Sequence, residues 1–438
     1  MIMSDITLSP SQEQIVNSTA RNIIVTAGAG SGKTRVLTER VKKLLQDGVD
    51  PRGVVVITFT NMAAEELQER LQGIPNADKC FIGTIHSLAN AILSTRYEYT
   101  LYSEQIQNNY MKFLINRYAK YATYDDYDTL MDAYRQLHIG KCKYDDILRY
   151  FKPKVLDELY ILLEYEQAHG TLDYRDYPQT VRTMSRVDNV ITFDELIERC
   201  SKYFSQHNTH INYLFVDELQ DVGTLEFNFL LELDAKYNFF IGDDYQAIYG
   251  FKGGDVQIFL SLLKDPDWTP YYLEDNYRNG AIILQYANSI ICHAKDILSK
   301  KSVCKSGKLG SVDIQSTFEF SNFLSSLNKD NTSYVDWFIL TRSNADLDFV
   351  VTELTKQNVP VVSFKKSEIT KAEKDEALSK NAVKVFTIHT AKGLESRNVA
   401  LYGHFPLKPT MSTKSEEIKV FYVGITRAQE KLIIFNIK

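Results

Sequence analysis

Nothing in the 438 residues approaches the run of about eighteen apolar residues that a membrane-spanning helix needs, so a protein of that kind is excluded. Cysteine is scarce. Cys80, Cys142, Cys200, Cys292 and Cys304 are odd in number and scattered, with no Cys-x-x-Cys pair to suggest a zinc or iron–sulfur centre. The start, MIMSDITLSP, lacks the basic-then-apolar order of a secretory signal, so free thiols in the cytoplasm are the expectation. Positive charge is not in excess either: 50 Lys and Arg stand against 56 Asp and Glu, a net −6. That argues against a general coat of nucleic-acid affinity, though not against one local basic groove. No internal repeat or low-complexity tract occurs. What remains is ordinary globular usage, 44% apolar and 24% charged, in a length suited to roughly three compact units.

The chemistry begins at residues 22 to 27, NIIVTA, a β-branched run that ends in GAGSGKT before an apolar pattern at helical spacing. Gly28, Gly32, Lys33 and Thr34 meet the pattern G-x-x-x-x-G-K-[ST] in the strand-to-helix context of a phosphate-binding loop. Backbone N–H groups and the helix start face phosphates there, Lys33 reaches the β and γ groups, and the Thr34 hydroxyl can hold Mg²⁺. Further strands are read at 54 to 60 and 80 to 87, and alternation with helices predicts parallel α/β sheets. The run INYLFVDELQD puts a buried strand before Asp217 and Glu218, at the carboxyl edge where ligands sit. Asp217 is then a Mg²⁺ ligand through water, and Glu218 the general base for an attacking water; the competing reading of two adjacent acids is a solvated turn. NFFIGDDYQAIYGF repeats the arrangement, with Gln246 placed to report a γ-phosphate and with exposed-looking aromatics Tyr249 and Phe251. Arg278 and Arg427, far away in sequence, suit a second domain that stabilises charge across a cleft.

With these segments in this order, the sequence resembles a superfamily 1A helicase of the UvrD, Rep and PcrA type. LSPSQEQIV is similar to the family's adenine-reading segment, AGAGSGKTRVLTER to motif I, and TFTNMAAEEL and GTIHSLA to the DNA-contacting motifs Ia and Ib. VDELQD, GDDYQAIYGFKGGD, LEDNYRN, TIHTAKGLE and FYVGITRA resemble motifs II to VI. The resemblance implies an α/β fold of two RecA-like P-loop domains with parallel sheets, plus one mainly helical insertion in the first. Residues 1–93 and 193–272 form the first, ATP-binding domain, 94–192 the insertion, and 273–438 the second domain. It further implies that Gln12 pairs with adenine, that Ala29, Gly30, Ser31, Gly32, Lys33, Thr34 and Arg35 hold the phosphates, that Tyr277 stacks on the base and that Glu395 approaches the ribose. Single-stranded DNA would run over Phe59, Asn61, Thr84 and His86, then over Arg342, Asn344, Thr387 and His389, with Tyr249 and Phe251 stacking between bases. From the residues alone, Phe59 also reads as a core aromatic at a strand end, and His86 as a capping or buried residue.

Several positions depart from the family pattern. Phe251-Lys252 stands where the family has Trp-Arg, and Met62 where it has Lys, which softens the grip on DNA. The large insertion of the second domain is absent or reduced to about 363–381. The insertion at 94–192 is dense in Tyr and acids, a solvated helical surface, a stacking surface or a partner-docking face. Two functions are therefore carried forward: an ATP-dependent 3′ to 5′ translocase or helicase, as in DNA repair, and a DNA-stimulated NTPase that regulates a nuclease partner. The latter resembles the compact helicase-like subunit of the Gabija antiphage system. A metabolic P-loop kinase has no use for motifs IV to VI.

Overall fold

The computed structural model describes residues 8–101, 190–191, 193–206, 211–250, 253–300, 302–329, 333–364, 371–409 and 414–437. The chain divides into two units, one of Met1–Ile85, Thr209–Phe227 and Leu233–Lys438, the other of His86–Asn208 with Asn228–Glu232.

The first unit opens with strands β1 (Asn22–Ala27), β2 (Val54–Ile57) and β3 (Phe81–Gly83). The read strand at 80 to 87 is thus shorter than expected, because Ile85 already starts the helix Ile85–Leu93. The second unit holds a two-stranded ladder of β4 (Thr100–Leu101) and β5 (Val190–Ile191), followed by the helix Phe193–Gln206. Most of the expected insertion, residues 102–189 and 192, lies outside the described residues.

Back in the first unit, β6 (Tyr213–Val216), β7 (Tyr237–Gly242) and β8 (Thr269–Leu273) complete a six-stranded sheet in the order β3-β2-β6-β7-β1-β8. Every pairing in it is parallel. A parallel sheet is covered on both faces, which is why β1 after Asn22 and all of β2 are buried without alternation, residues on both faces being enclosed. Ile23, Val25, Val54, Val56, Phe215 and Ile241 pack on one face with Val36, Leu37 and Val41 of the helix Lys33–Gln46.

A short pair, β9 (Asp275–Asn276) and β10 (Val303–Cys304), precedes the second large sheet. That sheet comprises β11 (Ser311–Ser316), β12 (Trp337–Thr341), β13 (Val361–Phe364), β14 (Val383–Thr387), β15 (Ser396–Gly403) and β16 (Ala428–Asn436), ordered β11-β16-β15-β12-β14-β13 and again all parallel. Successive residues of β12 serve opposite cores: Trp337 and Ile339 meet the helices Phe320–Lys329 and Asn344–Lys356, while Phe338 and Leu340 meet Ala281–Ile291 and Ser415–Ile425. Residues 363 and 364, expected as part of a residual insertion, belong to β13; the crossover to β14 carries the helix Lys371–Ser379. Among the described residues no helix is long and apolar enough to cross a membrane, and no cluster of His, Cys, Asp and Glu has metal-holding geometry.

Candidate active site

The glycine loop follows β1, Asp217 follows β6 and Asp243 follows β7, so three adjacent strands deliver them to one carboxyl edge. Gly30 and Gly32 have φ of 66° and 88°, in the left-handed region that a side chain resists. Gly30 is also crowded: a Cβ there would come within 2.5 Å of Arg278 Cβ. Ser31 Oγ donates to Gly28 O at 2.8 Å, closing the loop. Ala29 is buried, Thr34 and Arg35 are half-buried, and both open the helix Lys33–Gln46.

Lys33 Nζ lies 3.1 Å from Glu218 Oε1, shielded from solvent and without an aligned hydrogen bond. Burial acts to lower the lysine's pKa, but Glu218, Asp243 and Asp217 outweigh it and hold the ammonium charged. Glu218 sits at φ 54°, an uncommon conformation for a non-glycine residue and a local strain at the residue read as the base. Burial and the neighbouring Glu218 push Asp217 up to about 7. Burial alone would also raise Glu218, yet Lys33 and Lys392 draw it down to about 2. The two acids are therefore electrostatically unlike.

Gln246 is buried, its Nε2 donating to Asp243 Oδ2 at 2.6 Å and its Oε1 accepting from Arg427 Nη2 at 3.0 Å. Arg427, between the helix Ser415–Ile425 and β16, is 1% exposed and also donates to the carbonyls of Val423 and Leu394. Arg278 pairs with Glu395, whose other oxygen accepts from Gln429 Nε2 at 2.9 Å. Tyr277 is 43% exposed beside the loop, its N–H donating to Gly30 O at 3.0 Å. Gln12 is buried under the loop with its amide in use: Nε2 donates to Ser31 O at 3.0 Å, and Oε1 accepts from Ser9 N at 3.1 Å.

Two lysines that sequence reading did not assign complete the site. Lys392 Nζ pairs with Asp221, donates to Gln246 O at 2.9 Å and lies 3.9 Å from Glu218 Oε2. Lys300 pairs with both Asp243 and Asp244, at 2.5 Å from Asp243 Oδ1. Lys392 stood in a quoted motif; Lys300 stood in none, and a lone lysine among others in HAKDILSKK carries no signal.

The residues expected along DNA are placed unevenly. Tyr249 is half-buried, not exposed as read: its ring stacks on Phe59 at 5.1 Å and 21°, its hydroxyl donates to His389 O at 3.1 Å, and Lys392 Nζ lies 4.8 Å over its face. Phe59 is likewise half-buried rather than a core residue. Asn61 and Asn344 are exposed first residues of their helices, Thr84 follows β3, and Thr387 Oγ1 at the end of β14 is 3.0 Å from Thr390 Oγ1. Arg342 follows β12 and makes a bidentate pair with Glu417, at 2.9 and 2.5 Å. His86 belongs to the second unit, edge-on to Phe193 at 5.0 Å. Phe251 lies outside the described residues.

Comparison with known proteins decides the family. Residues 8–267 match the UvrD/REP helicase N-terminal domain, and residues 363–438 match the UvrD-like helicase C-terminal domain. The chain belongs to the UvrD/REP helicase family. It is 29% identical over 378 residues to the ATP-dependent DNA helicase PcrA of Leuconostoc citreum, covering 80% of this chain and 48% of that protein. It is 29% identical over 402 residues to the ATP-dependent DNA helicase Rep of Buchnera aphidicola, covering 85% and 60%. PcrA of Staphylococcus aureus is 27% identical, covering 81% and 50%. The chain thus spans about half of the length of the curated PcrA relatives it matches. For this UvrD/REP member, the segment 268–362 that holds Arg278 and Lys300 lies between the two matched models.

Proposed function

We propose that the chain is an ATP-hydrolysing motor on single-stranded DNA, moving 3′ to 5′, with residues 1–93 and 193–272 as its first RecA-like domain and 273–438 as its second. One observation carries the reading: Lys33 pairs with Glu218, Gln220 Nε2 donates to Glu218 while its Oε1 accepts from Asp243 N at 2.8 Å, and Gln246 bridges Asp243 to Arg427, so residues of both sheets stand in one continuous network. Lys33, shielded and without an aligned partner, suits a phosphate oxygen. The Thr34 hydroxyl and the Asp217 carboxylate are hard oxygen donors of the kind Mg²⁺ takes, and that ion would neutralise phosphate charge when bound.

In this reading Glu218, ionised at neutral pH, accepts the proton of the attacking water, and Gln246 orients that water. Lys33 and Arg427 stabilise the charge that builds on the transferred group, Arg427 from the second domain. Tyr277 and Gln12 address the base, Glu395 the ribose, and the DNA-helicase relatives support DNA as the track. With its cysteines free among the described residues, the chain fits work in the cytoplasm.

A second reading has one specific observation behind it. Between β13 and β14, where the family's large insertion is expected, the described chain has the single helix Lys371–Ser379. A motor without a duplex-gripping domain keeps DNA-stimulated ATP turnover but separates strands poorly alone, so a protein partner such as a nuclease subunit would complete it.

The test is DNA-stimulated ATP turnover beside unwinding of a 3′-tailed duplex by the purified chain. Lys33→Ala and Glu218→Gln should each abolish turnover, and Glu218→Gln should still bind nucleotide. Turnover unchanged by Lys33→Ala would end the proposal. Efficient unwinding of long duplexes by the chain alone would favour the independent helicase over the regulated subunit.

A further inference from the structure

Residues 276 to 280 form a strap between the glycine loop and the turn that carries Arg427. At one end, the carbonyls of Ala29 and Gly30 accept from Asn276 Nδ2 at 2.7 Å and Tyr277 N at 3.0 Å. At the other, Asn279 Nδ2 donates to Ala428 O at 2.6 Å and Thr426 O at 3.1 Å, the carbonyls on either side of Arg427, and Gly280 N donates to Gln429 O at 2.8 Å. The two asparagines are joined directly, Asn276 Nδ2 donating to Asn279 Oδ1 at 2.8 Å. Asn276 Oδ1 accepts from the N–H groups of Arg278 and Asn279 at 3.0 and 2.8 Å.

Both side chains are fully enclosed, Asn276 at 2% and Asn279 at 0% exposed. Every amide hydrogen in the relay meets a carbonyl and each amide oxygen meets an N–H, so neither amide can turn over without placing oxygen against oxygen. Buried networks of this kind hold one arrangement, because leaving any member unpaired is costly. The relay is also short. Unbroken hydrogen bonds lead from Ala29 O to Asn276, then to Asn279, then to the backbone on both sides of Arg427, so a shift of the loop would be passed along them.

We propose that Asn276 and Asn279 are positioning residues that couple the glycine loop to Arg427, setting the guanidinium against Gln246 according to the loop's conformation. This rests on the ATPase reading above and adds a regulatory link to the same site. Arg427 need not be told of the nucleotide only through Gln246; the loop reaches it from behind as well.

The experiment uses the full chain, single-turnover ATP hydrolysis with single-stranded DNA, and the variants Asn276→Ala, Asn279→Asp, Arg427→Ala and their pairwise combinations. Asn279→Asp keeps the shape but sets a carboxylate oxygen against the carbonyls of Thr426 and Ala428. It should lower the hydrolysis rate about tenfold or more, the scale of one misdirected buried hydrogen bond, with the KM for ATP changed by less than about threefold. In the Arg427→Ala background the same change should cost almost nothing, and Asn276→Ala with Asn279→Asp should lose no more than the worse single variant, as members of one unit behave. Losses that multiply in either background, or an unaltered rate in Asn279→Asp, overturn the inference. Should Asn279→Asp fail to fold, Asn279→Ala carries the same comparison, with thermal unfolding recorded for each variant. If the unaltered chain itself does not hydrolyse ATP, the ATPase reading fails; if it does and Arg427→Ala slows it to a low but measurable rate, only the relay is on trial.

Discussion

The Gln246 amide is held between Asp243 and Arg427, Nε2 donating to the carboxylate at 2.6 Å and Oε1 accepting from the guanidinium at 3.0 Å. An amide that bridges an acid following β7 and an arginine preceding β16 makes one unit of two sheets. Arg427 is otherwise bonded to its own surroundings, through Val423 O, Leu394 O and Thr426 Oγ1, so in the proposed ATPase it would contribute little to holding a nucleotide before the transition state. Arg427→Ala should therefore lower the rate of hydrolysis by about 10³-fold or more, in the range of an arginine finger, while nucleotide affinity falls less than about tenfold. Single-turnover rates beside equilibrium nucleotide binding measure both. Equal losses would make Arg427 a ground-state binding residue. Arg427→Lys should recover little, since a lysine cannot reproduce the fork that reaches Gln246 and two carbonyls together.

Lys392 and Asp221 are 9% and 0% exposed at their side chains and form an ion pair across the same junction. Removing one partner strands the other. Lys392→Met should destabilise the chain by roughly 3 to 5 kcal/mol, and adding Asp221→Asn should restore most of that, as denaturant midpoints would show. Burial already raises Asp221 from its ordinary 3.8 to about 6, with Lys392 holding it below where burial alone would put it. The folded chain thus binds more protons than the unfolded one between these values, and stability from this group falls as pH rises through that window. Without Lys392 the window extends upward, so the deficit of Lys392→Met should be largest near pH 8 and shrink towards pH 5. A deficit that does not change with pH would mean that Asp221 is not the group left uncompensated.

What was legible in the sequence is local. The strand Asn22–Ala27, the glycine loop and the acids after β6 and β7 each announce themselves within a dozen residues, because strand propensity, glycine conformation and apolar runs are properties of neighbours. Lys300 does not, since its partners Asp243 and Asp244 lie more than fifty positions away and nothing around it marks it for burial. Asn279 lies within LEDNYRN without a local signal, for its three side-chain amide contacts are to Asn276 and to the Thr426 and Ala428 carbonyls, which only the fold assembles. Tyr249 was misread as exposed for the same reason: an aromatic after a turn looks solvent-facing until Phe59, from another strand end, is set against it.

Arg342, expected along the DNA track, has its guanidinium in a bidentate pair with Glu417. That pair is about a third exposed on both sides, so it is modest in strength, yet it occupies both donors that a phosphate would take. Glu417→Gln should release them. Affinity for single-stranded DNA should rise about two- to tenfold, and the dependence of log affinity on log salt should steepen by about one contact. Glu416→Gln removes the same charge one residue away and is the control; an equal effect from both would reduce the result to net charge.

The Phe59–Tyr249 stack offers the sharpest test of the DNA surface. A base entering between these rings must replace a contact at 5.1 Å, and the Tyr249 hydroxyl, tied to His389 O, resists the opening. The two features separate by mutation. Tyr249→Phe keeps the ring and removes the tether, so it should bind single-stranded DNA as well as or better than the unaltered chain. Tyr249→Ala removes the stacking face and should weaken binding by roughly 1 to 3 kcal/mol, with little dependence on sequence because every base has a face to stack. Lys392 lies over the same ring and bonds Gln246 O, so the tether also bears on the proposed site of hydrolysis. Tyr249→Phe should accordingly raise ATP turnover measured without DNA and narrow the stimulation that DNA gives. If Tyr249→Phe and Tyr249→Ala weaken binding equally, the hydroxyl and not the ring is what DNA meets, and Tyr249 is not a stacking residue.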